Sequence, residues 1–371
     1  MPITIGALRE SAPGETRVSL VPEVVDKFVA AGARVVLEPG AGTRAQFPDS
    51  LYKKGEWIAA AGGILSQADV VLTVAPLSLE QIGQLKPGAV VVGFLQAHAR
   101  RDEVKALRDR KITSFAVELI PRISRAQSMD GLSSQASLAG YKAVLIAANN
   151  LEKFMPMLTT AAGTIRPSQA LIIGAGVAGL QAIATARRLG GVVSAFDVRP
   201  AAREQVLSLG ATFVANDLVA AGAETAGGYA RAQSEDEATR TRSALANHVK
   251  DVDLVVTTAQ IPGKPAPRLL TADMVASMRP GAVIVDLAAE SGGNCELTLA
   301  GETVQSGTTT IIGPLNVPAT VPFHASQMFG KNVLALVTHL STKEGALSID
   351  PTDEITGAMT VVRDGSVVAR T

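Results

Sequence analysis

Residues 170–199 read ALIIGAGVAGLQAIATARRLGGVVSAFDVR. The apolar run Ala170 to Ile173 reads as a strand and meets Gly174-Ala-Gly176-Val-Ala-Gly179, behind which a helical pattern extends from about Val177 to Leu189. Val192 to Phe196 reads as the next strand, and Asp197 ends it. A G-x-G-x-x-G spacing alone is a weak signal. With a strand before it, a helix behind it and an acid closing the second strand, it reads as a dinucleotide-binding βαβ unit. Gly174 permits the tight turn, Gly176 lets backbone approach a pyrophosphate, and Gly179 lets helix and strand pack closely; Val177 and Ala178 open the helix whose free N–H groups favour an anion. Asp197 is placed to accept hydrogen bonds from adenosine ribose hydroxyls, and its charge repels a 2′-phosphate, so NAD(H) is expected over NADP(H). Arg199 leaves an alternative open: its guanidinium lies over an adenine face, stays in solvent, or holds a 2′-phosphate.

Working outward, Asp253 to Thr257, Val283 to Leu287 and Ile311 to Ile312 read as later strands of the same sheet. Strand C-terminal ends face the ligand crevice in such sheets, which places Thr258, Ala259 and Gln260 toward a nicotinamide ribose, and Asp286 and Asn316 likewise. Upstream, Ile3 to Leu8, Arg34 to Glu38, Val70 to Ala75, Ala89 to Leu95 and Ile112 to Phe115 read as strands. They alternate with helical patterns over Pro22 to Ala31, Ser50 to Ala61 and Arg101 to Arg108. Ser134 to Asn150 reads as one helix bridging into the second domain, and Ala325 to Ser341 as an amphipathic helix able to return to the first. The fold class is therefore α/β, with two Rossmann-like doubly wound parallel-sheet domains and the first discontinuous in sequence. The expected boundaries are 1–134 with 322–371 for the N-terminal domain and 135–321 for the nucleotide-binding domain.

Composition removes several classes of function. With 371 residues, 34 Lys+Arg against 34 Asp+Glu and 47% hydrophobic residues, the chain carries no electrostatic case for nucleic acid or an anionic membrane. A single cysteine, Cys295, excludes an internal disulfide framework and reads as a buried or half-buried structural thiol. His98, His248, His324 and His339 show no ligand spacing, so no metal is expected. The N-terminal stretch lacks the pattern of a signal peptide, and no run is apolar enough to span a membrane, so a cytoplasmic protein is expected.

One polar stretch stands out. Pro121 to Ala136 reads PRISRAQSMDGLSSQA and concentrates Arg122, Arg125, Gln127, Asp130, Ser133, Ser134 and Gln135 between apolar segments. It offers many hydrogen-bonding groups and contains no His, Cys or Lys, so it can orient a polar ligand but has no obvious group for moving protons near neutral pH. Another stretch, AETAGGYA at 223–230, reads either as a plain surface loop or as a loop tip whose Tyr229 closes over a ligand.

Together these residues resemble the NAD(H)-binding component, the soluble domain I of the alpha subunit, of proton-translocating NAD(P) transhydrogenases. The matching stretches are RISRAQSMD, LSSQA, GYKAV, GAGVAGLQAIATARRLG, DVR, ETAGGYA, IPGKPAP and VDLA.E.GGNCEL, spread over about Arg9 to Asn316. The resemblance implies that the Arg-Gln-Asp loop lies beside the nicotinamide, with Arg122, Gln127, Asp130 and Ser133 in the catalytic constellation and Ser128 and Met129 as further nucleotide contacts. It implies contacts from Val198 beside Asp197 and from Gly228 and Tyr229, the tyrosine folding over the nucleotide. It also implies a homodimer that docks, from the cytoplasmic side, on separate NADP(H)-binding and membrane-spanning subunits.

Alanine dehydrogenase shares much of the pattern and is the rival reading. It typically carries a lysine in a K-V-K-E-P segment and a histidine in a Y-L-H-L-A segment; here those segments read Leu72-Thr-Val-Ala-Pro76 and Phe94-Leu-Gln-Ala-His98. Oxidising an amino acid requires a base and a cation for the carboxylate. Passing hydride from one nicotinamide to another needs only two rings held at near-attack distance without water, which suits a site rich in Gln, Asp, Ser and Arg. A third reading, a sensor that binds NAD(H) without chemistry, finds no effector segment in the sequence.

Overall fold

The computed structural model describes residues 3–215, 231, 233–261, 263–342 and 345–368. The chain forms two compact units, Met1–Gln135 with Ala319–Thr371, and Ala136–Pro318. The N-terminal unit is thus discontinuous, and its border falls inside the helix Gly131–Asn150.

In the first unit the described strands form one eight-stranded sheet in the spatial order Ser366–Val367, Thr360–Arg363, Thr113–Ala116, Val90–Gly93, Val70–Leu72, Thr4–Ala7, Arg34–Leu37, Glu56–Trp57. The six from Thr113–Ala116 onward run parallel, and Thr360–Arg363 joins antiparallel. Side chains alternate across the sheet: Leu37, Leu72 and Val92 pack with the helices Pro22–Ala30 and Pro322–His339, whereas Val36, Val71 and Val91 pack with Ala61–Leu65, Leu79–Gln84 and Arg101–Asp109. Such strands are apolar on both faces because helices cover both.

The helix expected over Ser50 to Ala61 does not form. The chain instead makes a 3₁₀ turn at Asp49–Leu51, an edge strand at Glu56–Trp57 and a helix at Ala61–Leu65. Tyr52 is pulled into the core, where its hydroxyl donates to the Leu20 carbonyl at 2.9 Å. At Gly55 any Cβ would meet Leu37 Cδ1 at 2.6 Å, so the segment is held by its neighbours rather than by helical periodicity.

In the second unit a seven-stranded sheet runs in the order Thr212–Phe213, Val192–Phe196, Gln169–Ile173, Leu254–Thr257, Val283–Asp286, Thr309–Ile312, Thr303–Ser306, all parallel except the last, and Leu158–Thr160 pairs with Gly163–Ile165 in a separate antiparallel hairpin. The helices Val177–Arg188 and Gly131–Asn150 cover one face through Ala182, Ile183, Ala143 and Ala147; Glu235–Val249 and Ala272–Ala276 cover the other through Leu245 and Val275. In both units the strand order reverses beside the first strand. That switch point lies between Thr4–Ala7 and Val70–Leu72 in one unit, and between Gln169–Ile173 and Leu254–Thr257 in the other.

Candidate functional site

At the switch point of the second unit the glycine turn behaves as its spacing requires. Gly174 has φ +91, in the left-handed region, and its N–H donates to the Phe196 carbonyl at 2.8 Å. A Cβ on Gly179 would lie 1.8 Å from the Gly174 carbonyl oxygen, so no side chain fits between helix and turn. Gly176 is different: the nearest atom to its would-be Cβ is Arg199 Nη2 at 3.9 Å, which leaves room for a phosphate to approach the backbone. Gly176 also caps the helix Val177–Arg188 without any side-chain bond, leaving the first-turn N–H groups, those of Val177 and Ala178 among them, without a side-chain cap. Across the switch point, Thr258 Oγ1 donates to the Gly174 carbonyl at 3.0 Å and ties the two strand ends together. Open space, helix polarity and glycine geometry all fit a bound pyrophosphate.

Asp197 is 6% exposed and already engaged. Its Oδ2 accepts from the Ala175 N–H at 2.7 Å and from Arg199 Nη2 at 2.9 Å; its Oδ1 accepts from the Arg199 N–H at 2.9 Å and from Nε at 3.0 Å. A carboxylate has about four lone-pair sites, and four donors occupy them. Arg199 is therefore an ion-pair partner of Asp197 in this structure. Val198 between them is half-buried against the apolar layer that contains Phe196.

The loop after Leu254–Thr257 is held from behind. Asn294 is fully buried; its Oδ1 accepts from the Ala259 N–H at 3.0 Å, and its Nδ2 donates to the Ala259 carbonyl at 2.8 Å. Gln260 is exposed, its Nε2 donating to the Leu287 carbonyl at 3.1 Å. Asp286, expected to reach toward a ribose, does not. It has no exposed surface, and its oxygens accept from Thr257 Oγ1, Thr298 Oγ1 and the N–H groups of Ala288, Asn294 and Cys295. This strand-end acid organises the loop that carries Asn294. Asn316 sits at φ +42, its N–H on Glu290 Oε1. Cys295 is buried, and burial pushes its thiol up, as befits a structural thiol.

In the first unit the Arg-Gln-Asp loop is the 3₁₀ segment Ser124–Met129, anchored by Ala126 and Met129 in the apolar layer of Phe329 and Val333. Gln127 and Ser128 point outward as exposed residues, and among the described residues the Gln127 carboxamide has no partner. Arg122 is exposed; Arg125 pairs with Asp353 at 2.7 Å. Burial would raise the Asp353 carboxyl, yet hydrogen bonds from Arg125, the Thr356 backbone and His339 hold it well below the usual range. Asp130 closes the loop: its Oδ1 accepts from the Ser133 N–H at 2.8 Å and its Oδ2 from Ser133 Oγ at 2.6 Å, which places Ser133 in the first turn of the helix rather than in the loop. Sequence reasoning missed Asn332, on the helix Pro322–His339, whose Nδ2 donates to the Ser128 carbonyl at 2.9 Å. The signal was there, a single amide in an apolar helical stripe. Gly228 and Tyr229 lie outside the described residues.

Also in this unit, Glu10 occupies the switch point. It accepts from the N–H groups of Val74 at 2.6 Å and Ala75 at 3.1 Å and from Thr73 Oγ1 at 3.2 Å, and burial pushes its carboxyl up to about 7. The buried cation Arg17 is held by Glu15 and by Gln135 Oε1 at 2.9 Å. Gln96 and His98 are exposed in a turn. Among the described residues no group of three His, Cys, Asp or Glu could hold a metal, and no helix is long and apolar enough to cross a membrane.

Two doubly wound units, one with an open glycine turn and an acid at its switch point, define a two-domain protein of the dinucleotide-fold class. Family models narrow this further: "Alanine dehydrogenase/PNT, N-terminal domain" matches residues 6–139, and "Alanine dehydrogenase/PNT, C-terminal domain" matches 143–370. The chain belongs to the alanine dehydrogenase/PNT family, and within it groups with NAD(P) transhydrogenase alpha subunits. It is 47% identical over 369 residues to the first polypeptide of the NAD(P) transhydrogenase alpha subunit of Rhodospirillum rubrum, covering 97% of this chain and 96% of that one. To the alpha subunit of Haemophilus influenzae it is 42% identical, covering 98% and 71%. A solved transhydrogenase from Sinorhizobium meliloti superposes with a TM-score of 0.88 at 42% identity, covering 98% of this chain and all of that one. An L-alanine dehydrogenase structure shares the fold, with a TM-score of 0.81 at 24% identity, covering 99% and 97%.

Proposed function

We propose that this chain is the NAD(H)-binding subunit of a proton-translocating transhydrogenase, and that hydride passes directly between NAD(H) held here and NADP(H) held on a partner subunit. The observation that carries the reading is the glycine turn at the second unit's switch point, with Gly176 open, the helix N-terminus uncapped by any side chain and Asp197 alongside. When bound, NAD(H) supplies the hydride-carrying ring. Gly174, Gly176, Gly179 and the N–H groups of Val177 and Ala178 receive the pyrophosphate, and Thr258, Ala259 and Gln260 border the nicotinamide ribose. Asp197 takes the adenosine ribose hydroxyls, which requires the Arg199 guanidinium to give up one or both of the two donor positions it fills among the four on that carboxylate. Gln127 orients the nicotinamide, its carboxamide being uncommitted, while Asp130 and Ser133 fix the end of its loop and Arg122 braces it. Ser128, Met129, Val198, Gly228 and Tyr229 complete the nucleotide's surroundings. None of these groups has to move a proton, which suits hydride exchange between two nicotinamides.

The amino-acid dehydrogenase reading loses support at the same residues. Leu72 and Val74 stand at the lysine positions of that enzyme's K-V-K-E-P segment and Gln96 at the histidine position of its Y-L-H-L-A segment, and Arg17 is engaged by Glu15 and Gln135. For a homodimer the hairpin Leu158–Thr160 with Gly163–Ile165 is the surface to test, since Met157 and Phe154 beside it are 66% and 54% exposed. Docking on membrane-spanning subunits would hold the protein at the cytoplasmic face.

The deciding experiment is rapid-mixing absorbance of the purified chain and NADH with an NADP(H)-binding transhydrogenase subunit carrying an NADP⁺ analogue. Fast reduction of the analogue that needs both proteins is the expected result. NAD⁺ reduction by L-alanine without a partner, and no transfer, would move the assignment to the dehydrogenase.

A further inference from the structure

The loop that carries Gln127 is tied at one end by the Asp130–Ser133 cap and at one side by the Arg125–Asp353 pair. Between these, directly after Gln127, the backbone of Ser128 is held by Asn332 alone among the described side chains. Asn332 lies on the face of the helix Pro322–His339 that carries Phe329, Val333 and Leu336, all buried. It is 9% exposed, and its Oδ1 is buried with no hydrogen-bond partner. An unsatisfied buried acceptor is costly, and a leucine would cover the same stripe without that cost. For stability alone the amide is the poorer choice.

We propose that Asn332 is a positioning residue for hydride transfer: by donating to the Ser128 carbonyl it fixes the backbone on which Gln127 is carried. This rests on the transhydrogenase reading and on Gln127 orienting the nicotinamide. Asn332 touches the loop backbone, and its effect reaches the reaction through Gln127.

The test uses two variants of the full chain, Asn332→Leu and Asn332→Ala, which remove the same donor and change packing in opposite senses. Leucine fills the stripe and alanine leaves a cavity, so thermal midpoint should stay level or rise in the first and fall in the second. Hydride transfer from NADH to an NADP⁺ analogue on the partner subunit should slow in both, on the order of ten-fold, because a small misplacement of an orienting group is felt strongly in rate. NADH affinity should stay within about two-fold of the parent, since one orienting contact is weakened and the pyrophosphate site is untouched. A wild-type rate in Asn332→Leu, or rates that follow the thermal midpoints, would overturn the proposal and leave Asn332 a packing residue. Failure of the unsubstituted chain to transfer hydride would instead overturn the functional reading, and this inference with it.

Discussion

The two units wind their sheets the same way, yet their switch points are built oppositely. In the second unit the crevice is made of glycine: Gly176 has nothing within 3.9 Å of its would-be Cβ, and the adjoining helix begins uncapped by any side chain. In the first unit the same topological position is filled by Glu10, whose carboxyl takes three donors from residues 73–75. Topology brings strand ends together in both, and the residue placed there decides whether a ligand enters. Binding capacity lives in side chains, or in their absence, grafted onto a shared frame.

The strongest challenge to that contrast is Gly179→Val. With no space beside the Gly174 carbonyl, it should cost on the order of 4 kcal/mol and abolish NADH binding, read by urea unfolding and fluorescence titration. A variant that binds NADH normally would show that the turn is not the site. Next is Glu10. Its folded carboxyl titrates near 7 against an ordinary 4.5, so its contribution to stability is complete below pH 4.5 and is lost as pH rises through 7, a change of about 3 kcal/mol. Glu10→Gln should flatten that part of the urea midpoint against pH. Its NADH stoichiometry should remain one per chain, and a second bound NADH would break the comparison.

Gln127→Ala comes third, slowing transfer on the order of ten-fold with little change in NADH affinity. Equal losses in rate and affinity would reduce Gln127 to a binding contact. The smallest effect is expected at Arg125→Ala. That pair is largely solvent-exposed on the arginine side and should be worth no more than about 1 kcal/mol by thermal unfolding.

How much of this could be read from the sequence differs between the same two regions. The glycine turn depends on local chain geometry, so spacing, strand and helix were all visible, and Gly174 and Gly179 show the expected constraints. Glu10 was invisible because its partners lie more than sixty residues away, in the turn just past the strand Val70–Leu72, and no periodicity reveals which strand pairs beside Thr4–Ala7. Asp286 misled for a related reason. A strand-end acid can face a ligand or turn inward, and only the positions of Thr257, Asn294 and Thr298 decide which. The helix Leu79–Gln84 went unread although its Ser78–Gln81 capping box was present, since six residues are too few for a clear period. The strand Thr360–Arg363 is shorter still.

The discontinuity of the first unit also sets an order of events during synthesis. The ribosome releases residues 136–318, a complete unit, before the helix Pro322–His339 and the strand Thr360–Arg363 that finish the first. Until then Val24, Val25 and Phe28 lack the covering of Phe329, Val333 and Leu336. Of the two units, the one begun first is therefore completed second, and during that interval its apolar face is left uncovered in the nascent chain.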